Sequence, residues 1–149
     1  MIKITRTNSE NKDFAALVKQ LDAALAETDG DDHAFYNQFN KTDKINHVLV
    51  AYKNDEALGC GAIRKYDATT MEIKRMYTSP ESRGMGIASQ ILHELEKWSA
   101  ELGFQKCILE TGINQHEAID LYKKNNYQLI PNYGPYAGID TSFCFEKVL

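Results

Sequence analysis

A mixed α/β fold built on a mostly antiparallel sheet is the class this sequence predicts, and three observations carry it. Between His47 and Thr78, three β-rich runs follow one another with only short turns between them, which makes antiparallel neighbours. The third run passes Pro80 and a glycine loop, opens into a long amphipathic helix, and is followed by a short apolar run, Cys107 to Leu109. A helix joining two strands of one sheet is a right-handed crossover, so these two strands should lie parallel. The full order reads β-α-α-β-β-β-α-β-α-β-β, with no repeat, linker or low-complexity tract.

Taken in order, Ile2 to Arg6 alternate apolar and polar residues, the pattern of a first strand. Asn8, Ser9 and Asn11 offer helix caps. Phe14, Leu17, Val18, Leu21 and Leu25 recur at helical spacing, predicting an amphipathic helix over Lys12 to Ala26. Glu27 to Asp32 is a polar break turning at Gly30, and a short second helix is expected to carry His33, Phe35, Tyr36 and Phe39. His47 to Tyr52 and Ala57 to Tyr66 make a hairpin through Asn54-Asp55-Glu56. Met71 to Thr78 returns after a turn at Asp67 to Thr70. In the long helix Ile87, Ile91, Leu92, Leu95, Trp98 and Leu102 line one side. Glu94, Glu96, Lys97 and Glu101 fall largely elsewhere, and Gly103 is placed to cap it. Gln115 to Lys124 is a shorter helix. Tyr127 to Ile130 and Ser142 to Val148 are the closing strands, joined by the Tyr- and Gly-rich loop Pro131 to Asp140.

At 149 residues the expected organisation is one domain, 1–149, large enough to bury a core without disulfides or a metal. The net charge of −4 argues against a nucleic-acid partner. No apolar run approaches the ~20 residues of a membrane span, and the N-terminus has no apolar leader segment. Cys60, Cys107 and Cys144 are odd in number, sit in apolar runs and lack metal-ligand spacing. They read as reduced, buried side chains of a cytoplasmic protein.

The chemistry concentrates between Glu72 and Ala88. Gly84 and Gly86 lack a Cβ, so the backbone there can approach a ligand closely. The helix that follows presents free N–H groups and the positive end of its dipole, and Arg83 adds a fixed charge. These features make a phosphate or pyrophosphate cradle. It is not a P-loop, because no Lys-Ser or Lys-Thr follows the glycines. Nor is it a dinucleotide fingerprint, because Ser89 stands at the third glycine position.

The string Arg83-Gly84-Met85-Gly86-Ile87-Ala88, with the strand and Pro80 before it, resembles the acyl-CoA-binding motif of the GNAT N-acetyltransferase superfamily. Downstream, Gln115 to Tyr127 is similar to that superfamily's Asn-x-x-Ala-x-x-Leu-Tyr-x-x-x-Gly-Phe string. Gln115 replaces the usual Asn and keeps an amide on a longer arm. Asn126 replaces the usual Gly and tolerates left-handed backbone. The resemblance covers the whole chain in element order and implies the GNAT-type acyl-CoA N-acyltransferase fold.

It also implies the activity: transfer of the acetyl group of acetyl-CoA to an amine acceptor through a ternary complex, without a metal. The alternative is a CoA-sensing module without turnover. Met76, Tyr77 and Thr78 would bind the pantetheine arm through backbone groups, as an added strand would. Arg83, Gly84, Met85, Gly86, Ile87, Ala88 and Ser89 would cradle the pyrophosphate, with Gln115 also on the donor side. Tyr122 would be the acid that protonates the departing thiolate, since a phenol stays protonated at neutral pH; the alternative is a core tyrosine. Glu72 would be the base that deprotonates the amine, or else a solvated strand residue or the ion-pair partner of Lys74 or Arg75; Glu110 is its rival, and a water chain is the alternative to both. Asp29, Asp32, His33, Tyr36, Tyr133 and Tyr136 are the candidates for the acceptor pocket, and the last strands are the candidate surface for a homodimer.

Overall fold

The structure, a computed structural model, describes residues 1–30, 34, 36 and 44–149. Its elements are β1 (Lys3–Thr7), α1 (Lys12–Asp29), β2 (His47–Lys53), β3 (Glu56–Asp67), β4 (Thr70–Thr78), α2 (Ile87–Glu101), β5 (Lys106–Gly112), α3 (His116–Lys124), β6 (Gln128–Ile130) and β7 (Ser142–Val148). Seven strands form one sheet in the order β1-β2-β3-β4-β5-β7-β6. Strands β2, β3 and β4 are antiparallel, and β4 and β5 are parallel across the α2 crossover, both as the sequence predicts. The second helix expected around His33 to Phe39 falls on residues of which only Ala34 and Tyr36 are described.

The sheet is covered on both faces, which is why its central strands read as continuous apolar runs. Along β2, Val48 and Val50 turn to one face with Cys60 and Ala62, where Phe14, Leu17 and Val18 of α1 close over them. Leu49 and Ala51 turn to the other face, where Ile87, Ile91, Leu92 and Leu95 of α2 join Ile63, Met71, Leu109 and Phe145. The Asn11 side chain accepts from the Phe14 N–H at 2.9 Å and starts α1. Helix α1 runs about a turn beyond its predicted end, to Asp29. Helix α2 ends at Glu101, and Gly103, at φ 91°, takes the left-handed position just past the cap. Asn126 also adopts left-handed backbone, at φ 71°, as its place in the turn requires. The three cysteines are free and buried.

Glu96 departs from expectation. It is buried rather than on the exposed side of α2, because the Tyr127 hydroxyl donates to it at 2.9 Å and the Lys147 ammonium at 2.8 Å. Two charge-assisted bonds compensate its desolvation.

Two irregularities of β4 position the site. Opposite the single residue Gly61, β4 inserts two, Arg75 and Met76, because Cys60 pairs with Tyr77 and Ala62 with Lys74. This is a β-bulge, and Arg75 carries it at φ 58°. Already before the bulge, past Glu72, β4 leaves β5: the two pair only through Thr70, Met71 and Glu72 against Lys106, Cys107 and Ile108. The remainder of β4 and of β5 diverge, and α3 and the end of α1 flank the opening.

Candidate active site

Two cavities occupy that opening. The larger, ≈ 360 Å³, runs from Met76, Tyr77 and Thr78 along the glycine loop to the start of α2. The smaller, ≈ 120 Å³, lies deeper between β4 and β5 and is lined by Glu72, Lys74, Arg75, Glu110, Thr111 and Tyr136. Leu21, Met76, Gln115, Ala118 and Tyr122 line both. A molecule in the outer groove and one in the inner chamber would therefore meet beside Tyr122 and Met76.

The groove gathers Met76, Tyr77, Thr78, Arg83, Gly84, Gly86, Ile87, Ala88, Ser89 and Gln115. Met85, expected with them, is not in its wall, and its side chain is 44% exposed. Gly84 and Gly86 sit at φ 82° and 75°, and a Cβ at either would meet nothing within 4 Å. They are glycine for their backbone conformation, and the space above them is open. Gly86 starts α2 with no side-chain cap bond, so the first-turn N–H groups stay available to an anion. Arg83 holds the loop to β4 through the Thr78 carbonyl at 3.3 Å. Lys124, not singled out by sequence reasoning, adds a second cation to the wall.

An acyl-CoA fits this groove on three counts. The outer edge of β4 past Glu72 is unpaired on the β5 side, which suits an extended arm of alternating amides. The Thr78 hydroxyl and the Gln115 amide nitrogen line it and are buried without a hydrogen-bond partner among the described residues. Unmet buried donors of this kind carry a free-energy cost that a polar ligand removes. The loop and α2 N-terminus supply the anion cradle.

The chamber is charged and mostly compensated. The Glu72 carboxylate accepts from the Tyr133 hydroxyl at 2.7 Å, with Lys74 and Arg64 at 3.9 and 3.8 Å. Arg75 pairs with Asp22 of α1 at 2.6 Å. Burial lowers the Lys74 ammonium and is opposed by Glu72. Glu110 differs. Burial raises its carboxyl to about 7, against the Ser142 hydrogen bond and Lys74, which lower it. Tyr122, on α3, is buried and its phenol is raised, by burial and then by the Glu110 charge across the gap. A raised phenol remains a proton donor at neutral pH.

Of the acceptor-pocket candidates, Tyr136 lines the chamber, Tyr133 holds Glu72, and Tyr36 bonds Thr141 and Ser142. Asp29 acts on Glu110 through space. Asp32 and His33 lie outside the described residues. Thr111 and Ser142 were not foreseen. Their only signal is position, at the end of β5 and the start of the strand beside it.

The profile of the acetyltransferase (GNAT) family matches residues 14–127, and the chain belongs to that family. It is 34% identical over 102 residues to the IAA acetyltransferase of Azospirillum brasilense, covering 68% of this chain and 67% of that one. The uncharacterized N-acetyltransferase YsnE of Bacillus subtilis is 31% identical over 101 residues, 66% of this chain and 67% of its own. A crystal structure from Klebsiella pneumoniae, assigned provisionally as an acyl-CoA N-acyltransferase, superposes with a TM-score of 0.84 at 33% identity, covering 100% of this chain and 98% of that one. The PaiA N-acetyltransferase of Thermoplasma acidophilum, solved in complex with coenzyme A, shares the fold at TM-score 0.73 and 19% identity, covering 100% and 99%. The protein is thus an acetyltransferase with the GNAT fold.

Proposed function

We propose that this enzyme moves the acetyl group of acetyl-CoA directly onto a primary amine, carried by a small molecule or a protein. The observation that carries this reading is the meeting of groove and chamber at Tyr122 and Met76. Groove and chamber are two cavities with shared walls, so donor and acceptor can be bound at once, and bringing the reacting groups together supplies much of the rate. The acyl donor lies along Met76 to Thr78 with its pyrophosphate on Arg83 to Ser89, excepting the Met85 side chain. The Met76 N–H faces the developing oxyanion of the thioester carbonyl.

The acceptor arrives as an ammonium and loses one proton to a base before its nitrogen attacks. The carbon–sulfur bond then breaks, and the thiolate takes the Tyr122 proton. The nitrogen gives up its second proton as the amide forms, which restores Tyr122. One proton is released overall, and no bond to the enzyme forms. Residues 1–149 act as one N-acetyltransferase domain. Cytoplasmic location is supported by the three free cysteines, and among the described residues no helix is long and apolar enough to cross a membrane.

A panel of primary amines incubated with enzyme and acetyl-CoA, scored for free thiol, tests this. Release on at least one amine, with the acetylated product seen by mass spectrometry, is expected. Binding of acetyl-CoA with no release across small amines and lysine peptides would leave a sensor.

A further inference from the structure

Four oxygens form an unbroken hydrogen-bonded chain behind the chamber. The Ser142 hydroxyl donates to Glu110 Oε2 at 2.8 Å. Ser142 Oγ lies 2.8 Å from the Tyr36 hydroxyl, which lies 2.6 Å from Thr141 Oγ1. Ser142 and Tyr36 are buried. A serine has one proton to give. With it committed to Glu110, Ser142 accepts from Tyr36, and Tyr36 in turn accepts from Thr141. Every donor in the chain then points toward the carboxylate, which is the arrangement that favours its charged form.

Glu72, the other carboxylate of the chamber, is already engaged by Tyr133, Lys74 and Arg64. Both of its oxygens are thus committed to groups of the enzyme. Glu110 has one oxygen on Ser142 and lines the chamber opposite Tyr122.

Resting on the acyl-transfer reading, we infer that Glu110 is the base that takes the acceptor's proton, and that Ser142, Tyr36 and Thr141 are positioning residues that orient it and stabilise its charge. The ammonium N–H bond breaks, the proton passes to Glu110, and the nitrogen keeps the electron pair with which it attacks. Once Glu110 is protonated the chain can reverse its donors, Glu110 to Ser142 to Tyr36 to Thr141, without moving a heavy atom.

Other groups set the balance at Glu110. Lys74 on β4 favours the charged form, while Glu72 on β4 and Asp29 on α1 oppose it. Burial raises the phenols of Tyr122 and Tyr136, and the Glu110 charge raises both further. The resulting carboxyl, at about 7, is matched to accepting a proton near neutrality.

The test is a carbon-13 NMR titration of protein labelled at glutamate side-chain carboxyls, with Glu110 assigned by its loss in Glu110→Gln. Wild type should give a Glu110 midpoint near 7. Ser142→Ala should move it up by about one pH unit, and Tyr36→Phe by less. This titration needs no acceptor, so it stands or falls apart from the acetyltransferase reading. Where an amine gives turnover, the acid limb of kcat/KM should move with the NMR midpoint in both variants, and Glu110→Gln should lose that limb. A Glu110 midpoint unmoved in Ser142→Ala would overturn the positioning role, and in Tyr36→Phe would do so if the first variant does not fold. Full activity with an unchanged acid limb in Glu110→Gln would overturn the base.

Discussion

Tyr122 sits where both cavities meet, yet it is also a core residue, packed edge-on against Tyr127 and tilted over Phe145. Those two readings are compatible, because the residue that packs in the core also lines both cavities. Tyr122→Phe keeps the ring contacts and removes only the proton. It should lower kcat by about 10²–10⁴-fold with acetyl-CoA affinity nearly unchanged; full activity would return the residue to the core. Glu110 carries a cost of another kind. Its carboxyl is raised in the fold from the ordinary 4.5 to about 7, so the folded state holds the proton more tightly than the unfolded chain. Its stabilising contribution is complete below about 4.5 and is lost as the pH rises through 7. Glu110→Gln should therefore raise Tm at pH 8 and have little effect near pH 5, which paired thermal melts would check. A larger gain at low pH would have the wrong sign.

Strand β4 and the loop after it are where local rules bend. The bulge at Arg75 puts an arginine in left-handed backbone, and the strand leaves its parallel neighbour three residues after joining it. The bulge leaves only a faint trace in the sequence, an extra residue between Ile73 and Met76, which with Met71 pack on one face, and the parting of β4 from β5 was implied only by the family resemblance, through the backbone binding at Met76 to Thr78. The charges were legible as a problem: Glu72, Lys74 and Arg75 in a central strand needed partners, and the structure supplies Tyr133, Arg64 and Asp22 from three other elements. The glycine loop proposed as the phosphate cradle lies in contiguous sequence, with its glycines, Arg83 and the helix start within a few residues of each other. The relay behind Glu110 was not legible, because Tyr36, Thr141 and Ser142 are joined only by the fold.

Glycines test this scale twice. At Gly59 a Cβ would lie 2.9 Å from the Tyr77 carbonyl and 3.2 Å from Ile87 and Ile91, so α2 is seated against β3 at this point. Gly59→Ala should cost about 1–3 kcal/mol in denaturant unfolding. At Gly86 the space is open but the backbone is left-handed at φ 75°, so Gly86→Glu costs about 1–2 kcal/mol of local strain, which the fold can carry, and places a carboxylate in the anion cradle.

For the molecule as a whole, one sheet does two jobs. Its covered faces make the core, and the parting of its only parallel pair among the described strands makes the site. That economy explains why the family was readable from element order plus two motifs, whereas the acceptor is not. The donor side is built from contiguous sequence, the chamber from β4, β5, α1, α3 and the segment before β7. The net charge of −4 gives no general attraction for polyphosphates, so donor binding has to come from the local cradle. Calorimetric titration of acetyl-CoA into the wild-type protein and into Gly86→Glu tests that claim most directly. Saturable binding to the wild type, lost or weakened at least tenfold in the variant, is the predicted result. No binding by the wild type, or equal affinity in the two proteins, would contradict the account from the glycine loop outward.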